Sequence, residues 1–226
     1  MLTRESISSG EYLECFGALP KEILWSKERI ANSLRDTLLA RPEQSDVWLF
    51  AYGSLIWNPL VNVRESQPAK LQGWRRSFCL RTTAGRATTN TPGRMLSLEP
   101  GGETHGLALR LAETDVDEEL HLVWIREMLT GAYRPTWARL SLGNRREIPA
   151  IVFVADPAHP HYENDASVKS VAPLVAAASG PLGTNVDYVL RLEKALAEHQ
   201  MADSYVDELA GALRQIRDVL ATSMSA

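Results

Sequence analysis

Apolar positions change their spacing near residue 47. Across residues 21–40 (KEILWSKERIANSLRDTLLA), Ile23, Leu24, Ile30, Leu34 and Leu38 recur at helical intervals, and Arg41-Pro42 predicts the stop. Everything up to Asp46 reads as an N-terminal helical extension, residues 1–46, packed on or wrapped around a main domain of residues 47–226. From Val47 the apolar runs are short and β-rich. Strands are predicted in VWLFAYGSL, LQGWRRSFCLRTT, RMLSLEP, HGLALRLA, WARLSLG and IPAIVFVAD, with turn signals at PGR, PGG and LGNR. GGETHG, between two of these runs, reads as a hairpin turn.

Four helical stretches interleave or follow. They span 115–130; 167–178, ending at Ser179-Gly180-Pro181; 186–198, after Thr184-Asn185, either of which is a candidate cap; and 203–220, with Val206, Leu209, Leu213, Ile216 and Leu220 on one face. Strands and helices do not alternate regularly, which argues against a doubly wound parallel sheet. The fold class predicted is α+β: a small curved or barrel-like mixed β-sheet surrounded by helices. No internal repeat or low-complexity segment interrupts it.

Two positions break the pattern. FAYGSLIW, residues 50–57, reads as a buried strand, yet it carries a polar ring, a glycine and a hydroxyl. Glycine weakens a strand unless something must approach its backbone closely. The second is Glu127. Turning about 100° per residue from Val116, Leu120 falls near 40° and Val123 near −20°. Glu127 falls near 20°, inside that apolar stripe, although Leu122 and Ile125 lie off it. A carboxylate so placed is desolvated and becomes a better base near neutral pH. The plainer reading is a structural acid paired with Arg126, Arg134 or another arginine.

Charge adds one feature. The 226 residues carry a net charge of −4, with 45% apolar and 23% charged positions, a globular balance without an electrostatic match to nucleic acid or an anionic membrane. Against that background GWRRSFCLRTTAGRATTNTPGR holds Arg75, Arg76, Arg81, Arg86 and Arg94 and no acid. Guanidinium forks match carboxylates and phosphates, so an anion is one reading; strand-surface arginines paired with acids elsewhere is the other.

The remaining candidates are weak. His159 and His161 in DPAHPHYEND read as loop surface residues rather than a metal pair, so no metal is assigned. Ser54 has no histidine placed by sequence to activate it. A Rossmann fingerprint, a P-loop and a nucleophile elbow are all missing, and no cofactor is expected. Cys15 and Cys79 lie far apart and read as reduced thiols, which fits the cytoplasm. The N-terminus lacks the pattern of a signal peptide, and no apolar run is long enough for a membrane span. The number of subunits has no sequence signal.

FAYGSLIWNP, GWRRSFCLRTTAGR, PGRMLSLEPGG, WIREMLTGAYRPTW, AIVFVADPAHPHYE and APLVAAASGPLGTNVDYVLRLE, in that order from about Val47 to Ala210, resemble the ChaC family and within it the bacterial branch. The resemblance implies a glutathione-specific γ-glutamylcyclotransferase that cleaves glutathione to 5-oxoproline and cysteinylglycine without a cofactor. It maps the family's glutamate onto Glu127, its glycine-containing loop onto Ala51, Tyr52, Gly53, Ser54, Leu55 and Ile56, and a tyrosine near the Cys-Gly end of the substrate onto Tyr188. Ala51 stands where the family usually has glycine, which implies a slightly tighter loop. The family name is also associated with cation-transport regulation. The alternatives are therefore a non-catalytic regulator and a cyclotransferase for another γ-glutamyl compound.

Overall fold

The computed structural model describes residues 2–17, 19–42, 46–143 and 146–223. Part of the LGNR turn, and the side chain of Leu220, lie outside that set.

Five strands close into a barrel. β1 (Trp48–Ala51), β2 (Val63–Thr82), β3 (Gly93–Leu111), β4 (Tyr133–Leu142) and β5 (Glu147–Ala155) follow the order β1-β3-β2-β4-β5 around it. Every pairing is antiparallel except β1 with β5, joined in parallel at Leu49 and Ile151. Trp48, Phe50, Phe78 and Phe153 are fully buried in the barrel core. The α+β barrel expected from the pattern is the fold observed.

Two local expectations are corrected. GGETHG does not reverse the chain: β3 runs straight through it and pairs with β2 on both sides. Gly101 and Gly102 sit at positive φ, and the register slips between Gln72 and Trp74 opposite them. The glycines therefore form a bulge that bends one long ribbon instead of a turn that ends it. FAYGSLIW is likewise not one strand. β1 stops at Ala51, and Ser54–Ile56 form a single 3₁₀ turn closed by Ile56 N–H to Gly53 C=O.

Helices cover the barrel. α1 (Arg4–Ser8), α2 (Glu11–Glu14) and α3 (Lys27–Leu39) precede it, and α4 (Val116–Glu127) links β3 to β4. α3 begins later than its apolar spacing implied, because the Ser26 hydroxyl accepts from Arg29 N–H and caps it there. α5 (Val168–Ala177), α6 (Asn185–Glu198) and α7 (Ser204–Ser223) pack together, with the two-stranded β6 (Ser179–Gly180) and β7 (Gly183–Thr184) between α5 and α6. Thr184 caps α6 by accepting from Asp187 N–H, while Asn185 turns inward and accepts from Arg94 N–H. Val206, Leu209 and Leu213 of α7 are buried as its stripe predicted.

The N-terminal helices are tied down by a buried acid. Glu119 of α4 has a side chain only 2% exposed and receives both Arg4 guanidinium nitrogens, Asn62 N–H and the Asn62 amide. A carboxylate out of water needs such a full set of donors. No described helix is long and apolar enough to cross a membrane.

Candidate active site

Trp124 of α4 is fully buried and meets the Phe153 ring edge-to-face at 5.1 Å. That packing, with Leu120 and Val123, lays one face of α4 on the barrel. The last residue of this stripe is Glu127, whose side chain is 15% exposed. It faces a cavity of about 520 Å³ bounded by the end of α4, the β1–β2 connection, the facing ends of β2 and β3, and the start of α6.

Arg126 organises this corner. Its Nε lies 3.0 Å from Glu127 Oε1, Nη1 donates to Asn58 C=O at 2.7 Å, and Nη2 donates to Ser54 Oγ. Burial pushes the Glu127 carboxyl above the ordinary carboxylate value, and the Arg126 charge opposes that rise without cancelling it. Four phenols, Tyr12, Tyr52, Tyr133 and Tyr188, lie near enough to feel the Glu127 charge. Tyr52 donates to Phe153 C=O at 2.6 Å and Tyr133 to Leu96 C=O at 2.8 Å, so both are engaged internally. Tyr188, beside Ser54, is pushed up to about 12 by burial and stays protonated at neutral pH.

Gly53 can be read from the contacts around it. A Cβ there would lie 3.0 Å from Tyr188 Oη and 3.1 Å from Leu96 Cδ2. What approaches this backbone is the Tyr188 hydroxyl. Of the six positions Ala51 to Ile56, Ser54 reaches the cavity wall; Ala51, Tyr52, Gly53, Leu55 and Ile56 are buried beneath it. Ala51 is the last residue of β1, paired with Leu107. Ser54, Glu127 and Tyr188 thus share one cavity although they come from three distant segments.

The arginines divide sharply. Arg76 has a side chain 1% exposed and is consumed inside the fold by Asp203, Tyr52 C=O and His105 C=O, while its neighbour Arg75 points outward near Glu99. Arg81, Arg86 and Arg94 reach the cavity. The expectation that His159 and His161 are surface residues fails for His161, which is buried and lines the cavity. Bonds from Arg81 N–H to His161 C=O and from Glu163 N–H to Cys79 C=O draw residues 161–163 alongside β2. Among the described residues no three His, Cys, Asp or Glu side chains gather as a metal site.

Most of the segments that build this cavity lie within the match to a known family. The family model described as ChaC-like protein matches residues 47–216. The chain belongs to the ChaC-like family. Within it, a glutathione-specific γ-glutamylcyclotransferase of Escherichia coli (strain K12) is 48% identical over 216 residues, covering 96% of this chain and 94% of the relative. A γ-glutamylcyclotransferase 2-3 of Arabidopsis thaliana is 32% identical, covering 75% of this chain and 89% of the relative. A crystal structure of a γ-glutamyl cyclotransferase specific to glutathione from yeast superposes with a TM-score of 0.69 at 20% identity, over 76% of this chain and 97% of the other, and shares the fold.

The ChaC-like cavity here has walls that residue spacing missed. Arg126 was legible only as a partner for Glu127. Arg191 and Trp57 join the wall, three residues beyond Tyr188 and Ser54 respectively. Leu2, Tyr12, Phe16 and Leu19, which lie before the family match begins, contribute an apolar side. No local signal marked them.

Proposed function

We propose that this chain is a glutathione-specific γ-glutamylcyclotransferase, releasing 5-oxoproline and L-cysteinylglycine, with Glu127 as the proton-transfer group. The observation that carries the reading is Glu127: a mostly buried carboxylate with a raised pKa, on the wall of a cavity large enough for a tripeptide, beside a hydroxyl and a phenol. The names of the relatives support the substrate.

Glu127 takes a proton from the γ-glutamyl α-ammonium, which must be neutral to attack. The freed amine adds to its own γ-carbonyl carbon, closing a five-membered ring as a tetrahedral intermediate. Collapse breaks the amide bond to cysteine and leaves the lactam: the proton on Glu127 passes to the departing cysteinylglycine nitrogen, and the second proton lost by the attacking nitrogen follows by way of Glu127, so that the amine leaves as an ammonium. Atoms balance without water, oxidant or nucleotide. Ring closure is intramolecular, so positioning lowers much of the barrier. A raised carboxyl pKa narrows the gap to an α-amine, and each unit of mismatch removed is about 1.4 kcal/mol.

Ser54 and Tyr188 act on the oxygen side. Ser54 Oγ accepts from Arg126, leaving its own proton to donate; Tyr188 remains a phenol and donates as well. Aimed at the γ-carbonyl oxygen, two such donors stabilise the charge that develops there. The Ala51–Ile56 backbone, with Tyr52, Gly53, Leu55 and Ile56 beneath the wall, supports Ser54 at the cavity. The division into an extension, residues 1–46, and a catalytic unit, residues 47–226, is proposed on the same footing, as is a cytoplasmic location consistent with two unpaired thiols.

Incubating the purified protein with glutathione and with γ-glutamyl amino acids, and assaying 5-oxoproline, tests the proposal. Release from glutathione is expected. Release only from another γ-glutamyl compound would overturn the substrate, and no release from any would overturn the enzyme in favour of a regulator.

A further inference from the structure

Five arginines line the cavity: Arg81, Arg86, Arg94, Arg126 and Arg191. Three of them have carboxylates within 4 Å. Arg126 lies against Glu127, and Arg81 and Arg94 converge on Glu163 at 3.8 and 3.2 Å. Arg86 and Arg191 have no such partner among the described residues. Arg86 is instead held by Thr184 C=O at 2.9 Å, and its Cζ lies 5.9 Å from the Tyr188 ring. The Arg191 guanidinium lies 5.5 Å from the Trp57 ring, and the Trp57 and Tyr188 rings meet edge-to-face at 5.5 Å. Two guanidinium groups therefore bracket a pair of aromatic rings on one cavity wall. Asp187 is the acid nearby, and it forms no ion pair with either within 4 Å among the described residues.

Burial, with the Arg191 charge adding to it, holds Arg86 below the ordinary arginine pKa, so the two cations repel across the site. Like charges kept together beside a cavity are relieved by an anion placed between them. Glutathione brings one. Its α-ammonium and α-carboxylate cancel at the glutamyl end, and its net charge resides on the glycine carboxylate.

We propose that Arg86 and Arg191, on either side of Tyr188 and Trp57, form the subsite for the glycine carboxylate and make the site selective for the tripeptide. The inference rests on glutathione being the substrate. The geometry supports the span. Tyr188 Oη sits against Gly53, beside Ser54, where the γ-glutamyl group reacts, while its ring faces Arg86 and meets Trp57, the ring that Arg191 covers. Two extended residues reach about 7 Å from the scissile bond to the glycine carboxylate. The carboxylate of a γ-glutamyl amino acid stops about one residue, roughly 3.5 Å, short of that.

The test is a double-mutant cycle between enzyme and substrate. Arg191→Gln is the variant of choice, because Arg191 is exposed at the cavity mouth and its loss leaves the core intact. Wild type and variant are compared on glutathione and on its glycine ethyl ester. Wild type should show a KM for the ester about tenfold or more above that for glutathione, the worth of a charged hydrogen bond. In Arg191→Gln the glutathione KM should rise until the two substrates converge, and Arg191→Lys should restore part of the difference. Calorimetric binding of both compounds to Glu127→Gln protein, with and without Arg191→Gln, reads the same coupling without turnover. Equal losses on both substrates, or no change on either, would overturn the subsite while leaving the glutathione assignment standing. If wild type neither binds nor cleaves glutathione, that assignment falls and the subsite falls with it.

Discussion

Glu127→Gln separates what the carboxylate does for chemistry from what it does to the fold. The substitution keeps volume and an acceptor for Arg126 Nε and removes only the charge. At 3.0 Å the Arg126–Glu127 attraction is about 5–6 kcal/mol at an effective dielectric constant near 20. The Glu127 pKa is nevertheless raised, so the cost of taking the charge out of water exceeds that attraction. A carboxyl whose folded pKa lies above its unfolded value favours the fold fully when protonated, below the unfolded value. It loses that contribution as pH rises through the folded value. The variant should therefore melt at the same temperature as wild type, or higher, at neutral pH. That advantage should fade as pH falls towards the ordinary carboxylate range. Turnover moves the other way. Removal of a positioned acid–base group costs about 10²–10⁴-fold, or roughly 3–5 kcal/mol of transition-state stabilisation. Parallel 5-oxoproline assays and thermal melts from pH 4 to 8 measure both. Turnover within a few-fold of wild type would remove Glu127 from proton transfer. A variant markedly less stable at neutral pH than at acid pH, relative to wild type, would show that the ion pair outweighs desolvation.

The pH–rate profile of wild type should rise through an apparent pKa above the ordinary carboxylate value, and a flat profile between pH 5 and 8 would contradict a desolvated base. Gly53→Ala places a Cβ 3.0 Å from Tyr188 Oη and 3.1 Å from Leu96 Cδ2. It should cost about 1–2 kcal/mol in urea denaturation and lower kcat, because the phenol must shift; a silent substitution would free Tyr188 of its proposed role. Arg4→Ala strips the buried Glu119 of two donors but leaves both Asn62 bonds. A loss of about 2 kcal/mol, read as a fall of roughly 4–8 °C in Tm, is expected, and an unchanged melt would mean that the N-terminal helices are not anchored there.

How much was legible in the sequence follows the range of the forces involved. α6 lies within a residue of its predicted start because a cap acts within a single turn: Thr184 needs only the N–H three residues on. Glu127 was visible because Val116, Leu120 and Val123 mark an apolar stripe on α4, although Leu122 and Ile125 lie off it, and an acid inside it stands out. GGETHG was misread because two glycines at positive φ serve a turn or a bulge equally. The choice is made by β2, which continues past them as a partner. Arg75 and Arg76 are adjacent and must point to opposite faces of β2, but spacing cannot say which face is enclosed. Barrel closure decided that, sending one side chain to solvent at 62% exposure and the other to Asp203.

By itself the sequence determined the fold class, the family and the acid that falls inside the apolar stripe of α4, since each is written in local periodicity or in contiguous motifs. Only the tertiary structure decided which arginines keep a free charge. It also showed that Leu2, Tyr12, Phe16 and Leu19 wall the cavity and that Gly53 yields space to a tyrosine 135 residues away. Those outcomes depend on which segments meet when the barrel closes, and no periodicity along one segment records its neighbours.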